Sequence, residues 1–165
     1  MIEGLLIGLS TVLTLHNLLF VAAGCLTGMM IGLLPGLGPI SAIALMIPIS
    51  YNLDPASGMI LLAGVYYGAI FGGSTSAILI NAPGVAGTVA TAFDGYPLAQ
   101  QGHAGKALAV AAYASFFGGT LGVILLMFLA PTLSSLSLSF QSAEYTLMMV
   151  LGLSLVISFS ERGHY

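Results

Sequence analysis

A chain of 165 residues that is 58% hydrophobic and 4% charged, with a mean hydropathy of +1.09, does not have the composition of a water-soluble domain. Its net charge of -3 rests on seven ionised side chains, five acidic and two basic. No basic patch exists to bind nucleic acid, and one cysteine, Cys25, supports neither a disulfide framework nor a metal site.

The placement of the charges decides the class. Residues 4–53, 55–93 and 107–143 contain no Asp, Glu, Lys or Arg. Each run exceeds the roughly 20 residues that cross a bilayer core. The runs are continuously apolar and lack the strict alternation of an outer-membrane barrel, so the expected fold is an all-α integral membrane protein. The N-terminus carries Glu3 where a signal peptide carries Lys or Arg, and nothing suggests processing.

In chain order, residues 2–16 predict an interfacial or tilted entry helix. From Leu18 to Leu34 the pattern is helical, and Gly24, Gly28, Gly32 and Gly36 recur every four residues, a ridge suited to a close helix neighbour. The sequence PGLGP at 35–39 ends that helix, because Pro39 lacks a backbone donor and the glycines tolerate positive φ. Ile40 to Ile49 is too short to cross alone. The economical arrangement for 17–53 is a re-entrant helical hairpin with PGLGP at its tip; a full crossing followed by a short tilted helix is the alternative.

Asp54 and Pro55 make a helix start, with Asp at the cap and Pro in the first turn. Residues 56–93 predict a broken helix containing GVYYGAIFGGSTSAILINAPG at 64–84. Gly64, Gly68 and Gly72 place three bare positions on one face. A first break is expected at Gly72, Gly73, Ser74, Thr75 and Ser76, and a second at Asn81, Pro83 and Gly84. Residues 94–106, DGYPLAQQGHAGK, read as a polar loop, assigned by Lys106 to the cytoplasm. Helices are expected at 107–130, ending at Pro131, and at 143–160. The whole of 1–165 reads as a single transmembrane domain, and an ending directly after an apolar helix looks like truncation.

The chemistry-bearing residues point away from catalysis. No lysine accompanies a glycine cluster as a phosphate-binding loop requires, and GxGxxG is absent. His16, His103 and His164 are far apart, so a hydrolase acting through Ser74 or Ser76 lacks a partner base, and a non-enzyme is expected. Unwound backbone in a membrane, by contrast, offers carbonyls to Na⁺ and N–H groups to an anion. Backbone at Gly36 and Gly38, the flanking Pro35 and Pro39, and Gly73, Ser74, Thr75, Ser76, Asn81, Pro83 and Gly84 form the expected solute and ion site. Ser74, Ser76 and Asn81 are the expected Na⁺ ligands. The competing use of the hydroxyls is to bond to their own helix. Asp54, Asp94 and Glu144 lie at segment ends, so coupling by Na⁺ through neutral oxygens is expected rather than a proton relay, H⁺ being the other possible coupling ion; no other cofactor is implied.

GLLPGLGP with its preceding Gly32, YYGAIFGGSTSAILINAPG at 66–84 and DGYPLAQQGHAGKAL at 94–108 together resemble the large membrane subunit of the tripartite tricarboxylate transporters over about residues 17–125. The resemblance implies a multi-pass protein of the bacterial inner membrane, working with a small membrane subunit and a periplasmic solute-binding protein. It implies secondary, ion-driven import of citrate or another di- or tricarboxylate, with PGLGP and GGSTSAILINAPG as first-half contributions to the site. Members of that family are much longer, and no second copy of either motif follows here. The chain therefore resembles the N-terminal portion, one half of a two-repeat transporter. Two rivals are a non-transporting scaffold packed through its Gly-xxx-Gly helices and an ion channel.

Overall fold

A computed structural model describes residues 2–138 and 140–161. His164 and the rest of the final tetrapeptide lie outside the described residues. Among those described there are seven α-helices and no strand: α1 (Ile2–Val12), α2 (Leu15–Gly32), α3 (Gly38–Ser50), α4 (Pro55–Ile80), α5 (Val89–Leu98), α6 (Ala104–Leu138) and α7 (Ser142–Glu161). Three helical stretches are long and apolar enough to cross a membrane: Leu15–Gly32, Pro55–Ile80 and the run Ala86–Ser135. The protein is an all-α, multi-pass membrane protein.

The chain divides into two compact units, residues 1–116 and 117–165. The first is organised around α4, whose 26 residues make a rod of about 39 Å. α2 lies along it in parallel, as the glycine contacts show. A Cβ on Gly24 would stand 2.5 Å from the Leu61 carbonyl oxygen, and one on Gly64 would stand 2.8 Å from that of Val21. Side chains on Gly28, Gly32, Gly68 and Gly72 would collide with the backbone of Val65, Ala69, Cys25 and Met29 in turn. Numbers rise together on both helices, so the two ridges of bare positions mesh backbone to backbone. In an apolar solvent, such close contact supplies van der Waals energy that no hydrophobic effect would provide. The two ridges expected from the spacing are each other's partners, and the α2 and α4 ridges pack within one chain.

Because α2 and α4 run parallel, α3 must return between them, and it does. Gly38 meets Gly84 and Val85, Ala42 packs in one buried cluster with Val65 and Ala69, and Ser50 meets Gly58. The chain therefore reverses at PGLGP, where Gly36 (φ 88°) and Gly38 (φ 56°) take left-handed conformations that few other residues adopt. The C-terminal end of α2, at Gly32 and Leu33, is level with Gly72, and α4 continues about two turns beyond that level.

At the opposite end, side chains tie the helix starts together. Thr14 caps α2 by accepting from the Asn17 N–H (3.4 Å). Asn17, buried, donates through Nδ2 to the Thr11 carbonyl (2.8 Å) and accepts at Oδ1 from the Ser57 hydroxyl (2.6 Å). Asp54 caps α4, its carboxylate accepting from the Ser57 N–H at 3.0 Å. That backbone hydrogen bond holds the exposed carboxyl below its ordinary range, the Ser57 hydroxyl proton being committed to Asn17.

The burial pattern inverts that of a soluble protein. The interior is Gly, Ala, Ser and Thr with Asn17, Val65, Leu61 and Ile78, whereas Leu26, Met30, Leu121, Leu125 and Phe128 point outward. This suits a bilayer, in which large apolar side chains face lipid and small ones let helices approach.

Three sequence expectations are corrected. GGSTS does not interrupt the helix: α4 runs unbroken to Ile80, and the only break is at Asn81. The hydroxyls of Ser74, Thr75 and Ser76 find acceptors on their own helix, and the propensity deficit of two glycines, about 1 kcal/mol each, is offset where Gly72 packs on α2 and Gly73 on Gly84. Residues 94–106 are not a polar loop. α5 continues through Pro97, which forfeits a single helical bond near its end, into a π-helical turn at Ala99–His103, with the kink taken up at Gly102 (φ 83°). α6 likewise passes Pro131 and continues to Leu138.

In the second unit, the Gln141 N–H donates to Glu144 (2.9 Å) at the start of α7, and the Ser137 and Tyr145 hydroxyls lie 3.3 Å apart.

Replacing Gly28 by Leu should destabilise the protein in detergent by about 1–3 kcal/mol or more, since overpacking here displaces backbone. Gly122→Leu, at a position with nothing within 4 Å, should leave the unfolding midpoint unchanged. The Asp54 cap should contribute fully above about pH 4 and be lost as pH falls through the lowered folded value. Asp54→Asn, whose amide oxygen still accepts, should flatten that acid limb in unfolding scans.

Candidate functional site

Beyond Ile80 the chain turns on Asn81, a non-glycine residue in the left-handed region (φ 56°, ψ 31°) whose N–H returns to the Ser76 carbonyl. The Ala82 N–H donates to the same oxygen at 3.4 Å. Residues 81–88 then fold back along α4. Gly84 is buried so tightly that a Cβ there would stand 2.9 Å from both the Gly32 carbonyl oxygen and the Gly73 Cα. Thr88, buried, bridges the turn: its hydroxyl donates to the Val85 carbonyl (2.9 Å) and accepts from the Val85 N–H (3.4 Å). α5 starts here and climbs outward again, bringing Gly95 against Ile78.

Three stretches distant in sequence thus meet at one junction: the hairpin through Gly32 and Gly38, the GGSTS turn of α4 through Gly73, and the NAPG loop through Gly84. Of the residues expected in the site, Gly38, Gly73 and Gly84 come together. Pro39 sits half-buried in the first turn of α3 and Pro83 half-buried in the loop, whereas Pro35 and Gly36 form an exposed tip with nothing within 4 Å of a Gly36 Cβ.

The hydroxyls divide. Ser74 donates to the Ile70 carbonyl (3.2 Å), Thr75 to Phe71 (2.9 Å) and Ser76 to Gly73 (3.0 Å). All three are buried, and each bonds to its own helix, the competing use that sequence reasoning weighed. Ser74 and Ser76, two residues apart, lie on nearly opposite sides of α4. Asn81 is exposed at the helix end. The structure does not gather Ser74, Ser76 and Asn81 into one coordination sphere.

Ser74 instead lines a cleft of about 470 Å³ between α4, α5 and the start of α6. Thr91 and Asp94 contribute from α5 and Ser115 from α6; Ile78, Leu98 and Val110 are among the apolar lining. Sequence reasoning missed Asp94 by placing it at the edge of a loop, and it placed Thr91 and Ser115 in helical segments without assigning them to a site. The signal was available, because Thr91, Asp94, Gly95 and Leu98 recur at helical spacing on one face. No group of three or more His, Cys, Asp or Glu stands ready to hold a metal ion among the described residues.

Apolar helices that bury glycines and hydroxyls and turn large apolar side chains outward define a multi-pass membrane protein, with a largely apolar cleft beside the glycine junction. The chain belongs to the tripartite tricarboxylate transporter TctA family, which matches residues 18–164. It is 46% identical over 158 residues to a protein of Agrobacterium vitis described as "Uncharacterized 52.8 kDa protein in TAR-I ttuC' 3'region", a match covering 96% of this chain and 32% of that protein. The chain thus spans about a third of that relative's length. No solved structure matches this chain.

Gly84→Ala should prevent the loop from seating on α4 and lower the unfolding midpoint, with the cost of an overpacked core, about 1–3 kcal/mol. Gly73→Ala should be tolerated, since its Cβ would make ordinary contacts of 3.5 Å with Gly84 Cα and 3.6 Å with Thr88 Cγ2. Equal midpoints for the two variants would contradict the junction.

Proposed function

We propose that this chain is the N-terminal portion of the large membrane subunit of a tripartite carrier that imports citrate or another di- or tricarboxylate across a bacterial inner membrane. The observation that carries the reading is the family match over residues 18–164. In this reading a periplasmic binding protein delivers the solute, a small membrane subunit completes the membrane part, and an ion gradient drives the step. The junction of the PGLGP hairpin with the GGSTS turn and the NAPG loop is the first-half contribution to the solute path. Of its three segments the NAPG loop is buried outside helix, at Gly84, which membrane proteins tolerate where a segment is enclosed in protein or lines a cavity. The hairpin, whose α2 ends level with Gly72 of α4, would be re-entrant. A scaffold held by its Gly-xxx-Gly faces is less well supported, because the α2 and α4 ridges are consumed by one another.

Uptake of radiolabelled citrate and other di- and tricarboxylates tests this in cells expressing the protein with a small membrane subunit and a binding protein of the same family. Accumulation should require all three components. Ser74→Ala and Asn81→Gly should each lower the initial rate several-fold with membrane insertion unchanged. Glycine is the informative change at Asn81, because alanine there would add backbone strain of about 1–2 kcal/mol to the loss of the amide. No carboxylate accumulation under any partner combination would overturn the proposal.

A further inference from the structure

We propose that the cleft between α4, α5 and α6 is a monovalent-cation site centred on the Asp94 carboxylate, separate from the glycine junction assigned to the carboxylate solute. The inference rests on reading the chain as part of an ion-coupled carrier and supplies that carrier's cation site. It replaces the expectation that coupling uses neutral oxygens alone.

Asp94 is not at a segment end. It sits within α5, next to the Gly95 that packs on Ile78, so it is level with the last turns of α4. It is the one ionisable residue among those lining the cleft: no Lys, Arg, His, Cys, Tyr or second carboxylate accompanies it. Lys106 and His103, the nearest candidates in sequence on the segment leading into α6, are exposed and are not among the lining residues. No ion pair or hydrogen bond to the Asp94 side chain is present among the described residues. Asp94 and Ser115 are exposed and Thr91 is half-buried, so the unpaired carboxylate stands at the open mouth of the cleft, where a cation can reach it.

The rest of the lining suits a hard cation. Ser74 from α4, Thr91 from α5 and Ser115 from α6 each bring a hydroxyl oxygen, so all three helices contribute. Ser74 spends its proton on the Ile70 carbonyl, which leaves its oxygen free to coordinate. Oxygen ligands select alkali and alkaline-earth ions over softer metals. One negative charge among neutral hydroxyls balances one positive charge, and a divalent ion would keep an uncompensated charge in an apolar setting. The cleft's volume of about 470 Å³ is also large enough for a small carboxylate, so charge decides the occupant and not size. A di- or tricarboxylate would meet Asp94 as a like charge with no cation in the lining to offset it.

The test is thermal unfolding of the purified protein in detergent at neutral pH and constant ionic strength, with choline chloride replaced stepwise by NaCl or KCl. The wild type should gain several degrees with a saturable dependence on Na⁺, K⁺ or both. Asp94→Asn should abolish the gain, and Ser115→Ala should raise the half-saturating concentration about ten-fold. Asp54→Asn, outside the cleft, should keep the response. If Asp94→Asn does not fold, Asp94→Glu and Thr91→Ala carry the test through a shifted half-saturation. A midpoint that ignores both alkali cations, or a response identical in wild type and the Asp94 variants, overturns the proposal. No solute or partner protein enters this measurement. Cation binding without carboxylate uptake would therefore sink only the transport reading, and uptake with an unaltered cation response in the Asp94 variants would sink only this one.

Discussion

The contact on which the rest of this fold depends is the meeting of two bare helix faces, Gly24, Gly28 and Gly32 of α2 against Gly64, Gly68 and Gly72 of α4. Inside a bilayer, helices gain nothing from hiding apolar surface, so association must come from packing density. Removing six side chains along one line brings backbone against backbone and also fixes the axial register, since a shift of one residue would drive Leu, Val or Met side chains into the facing helix. With that register set, the hairpin can reverse only at Gly36 and Gly38, and α3 must come down the neighbouring groove.

The same contact places the candidate site. Because α2 stops at Gly32 while α4 continues to Ile80, the end of the hairpin forms a shelf beside the GGSTS turn. Residues 81–88 fold back onto that shelf, and Gly84 closes on Gly32 and Gly73. The left-handed Gly38 and the NAPG loop are thereby packed beside an unbroken α4. The hydroxyls of Ser74, Thr75 and Ser76 have a double use. By bonding to Ile70, Phe71 and Gly73 they satisfy their own buried protons within the helix, and Ser74 still faces the cleft.

Charge divides labour between neighbouring regions. The glycine junction contains no carboxylate and is built of backbone, whereas the cleft next to it is lined by Asp94 and three hydroxyl residues, a difference that under the proposals above would suit an anion and a cation in turn. Both include residues of one turn of α4, Gly73 and Ser74, so occupancy of one can be felt at the other through a single helical turn. That adjacency gives the ion-coupled reading a physical route.

The sequence by itself determined the solvent and the class of this protein. Charge-free runs of three dozen residues or more leave no alternative to helices in lipid, because backbone groups must be satisfied within each segment. It determined the reversal at PGLGP, the cap at Asp54 and the existence of two glycine ridges, since these are set by residues adjacent on the chain. Its motifs also carried the family, which the comparison with known proteins bears out. Only the tertiary structure decided that the two ridges mate in parallel, that GGSTS stays helical and that 94–106 is helix instead of loop. These depend on neighbours: Gly72 and Gly73 are tolerated in α4 because α2 and Gly84 press against them, and Asp94 joins the cleft because Gly95 seats on Ile78. Local propensity sees a glycine pair as a break and a DGYP as a turn; packing sees both as places where two backbones can touch.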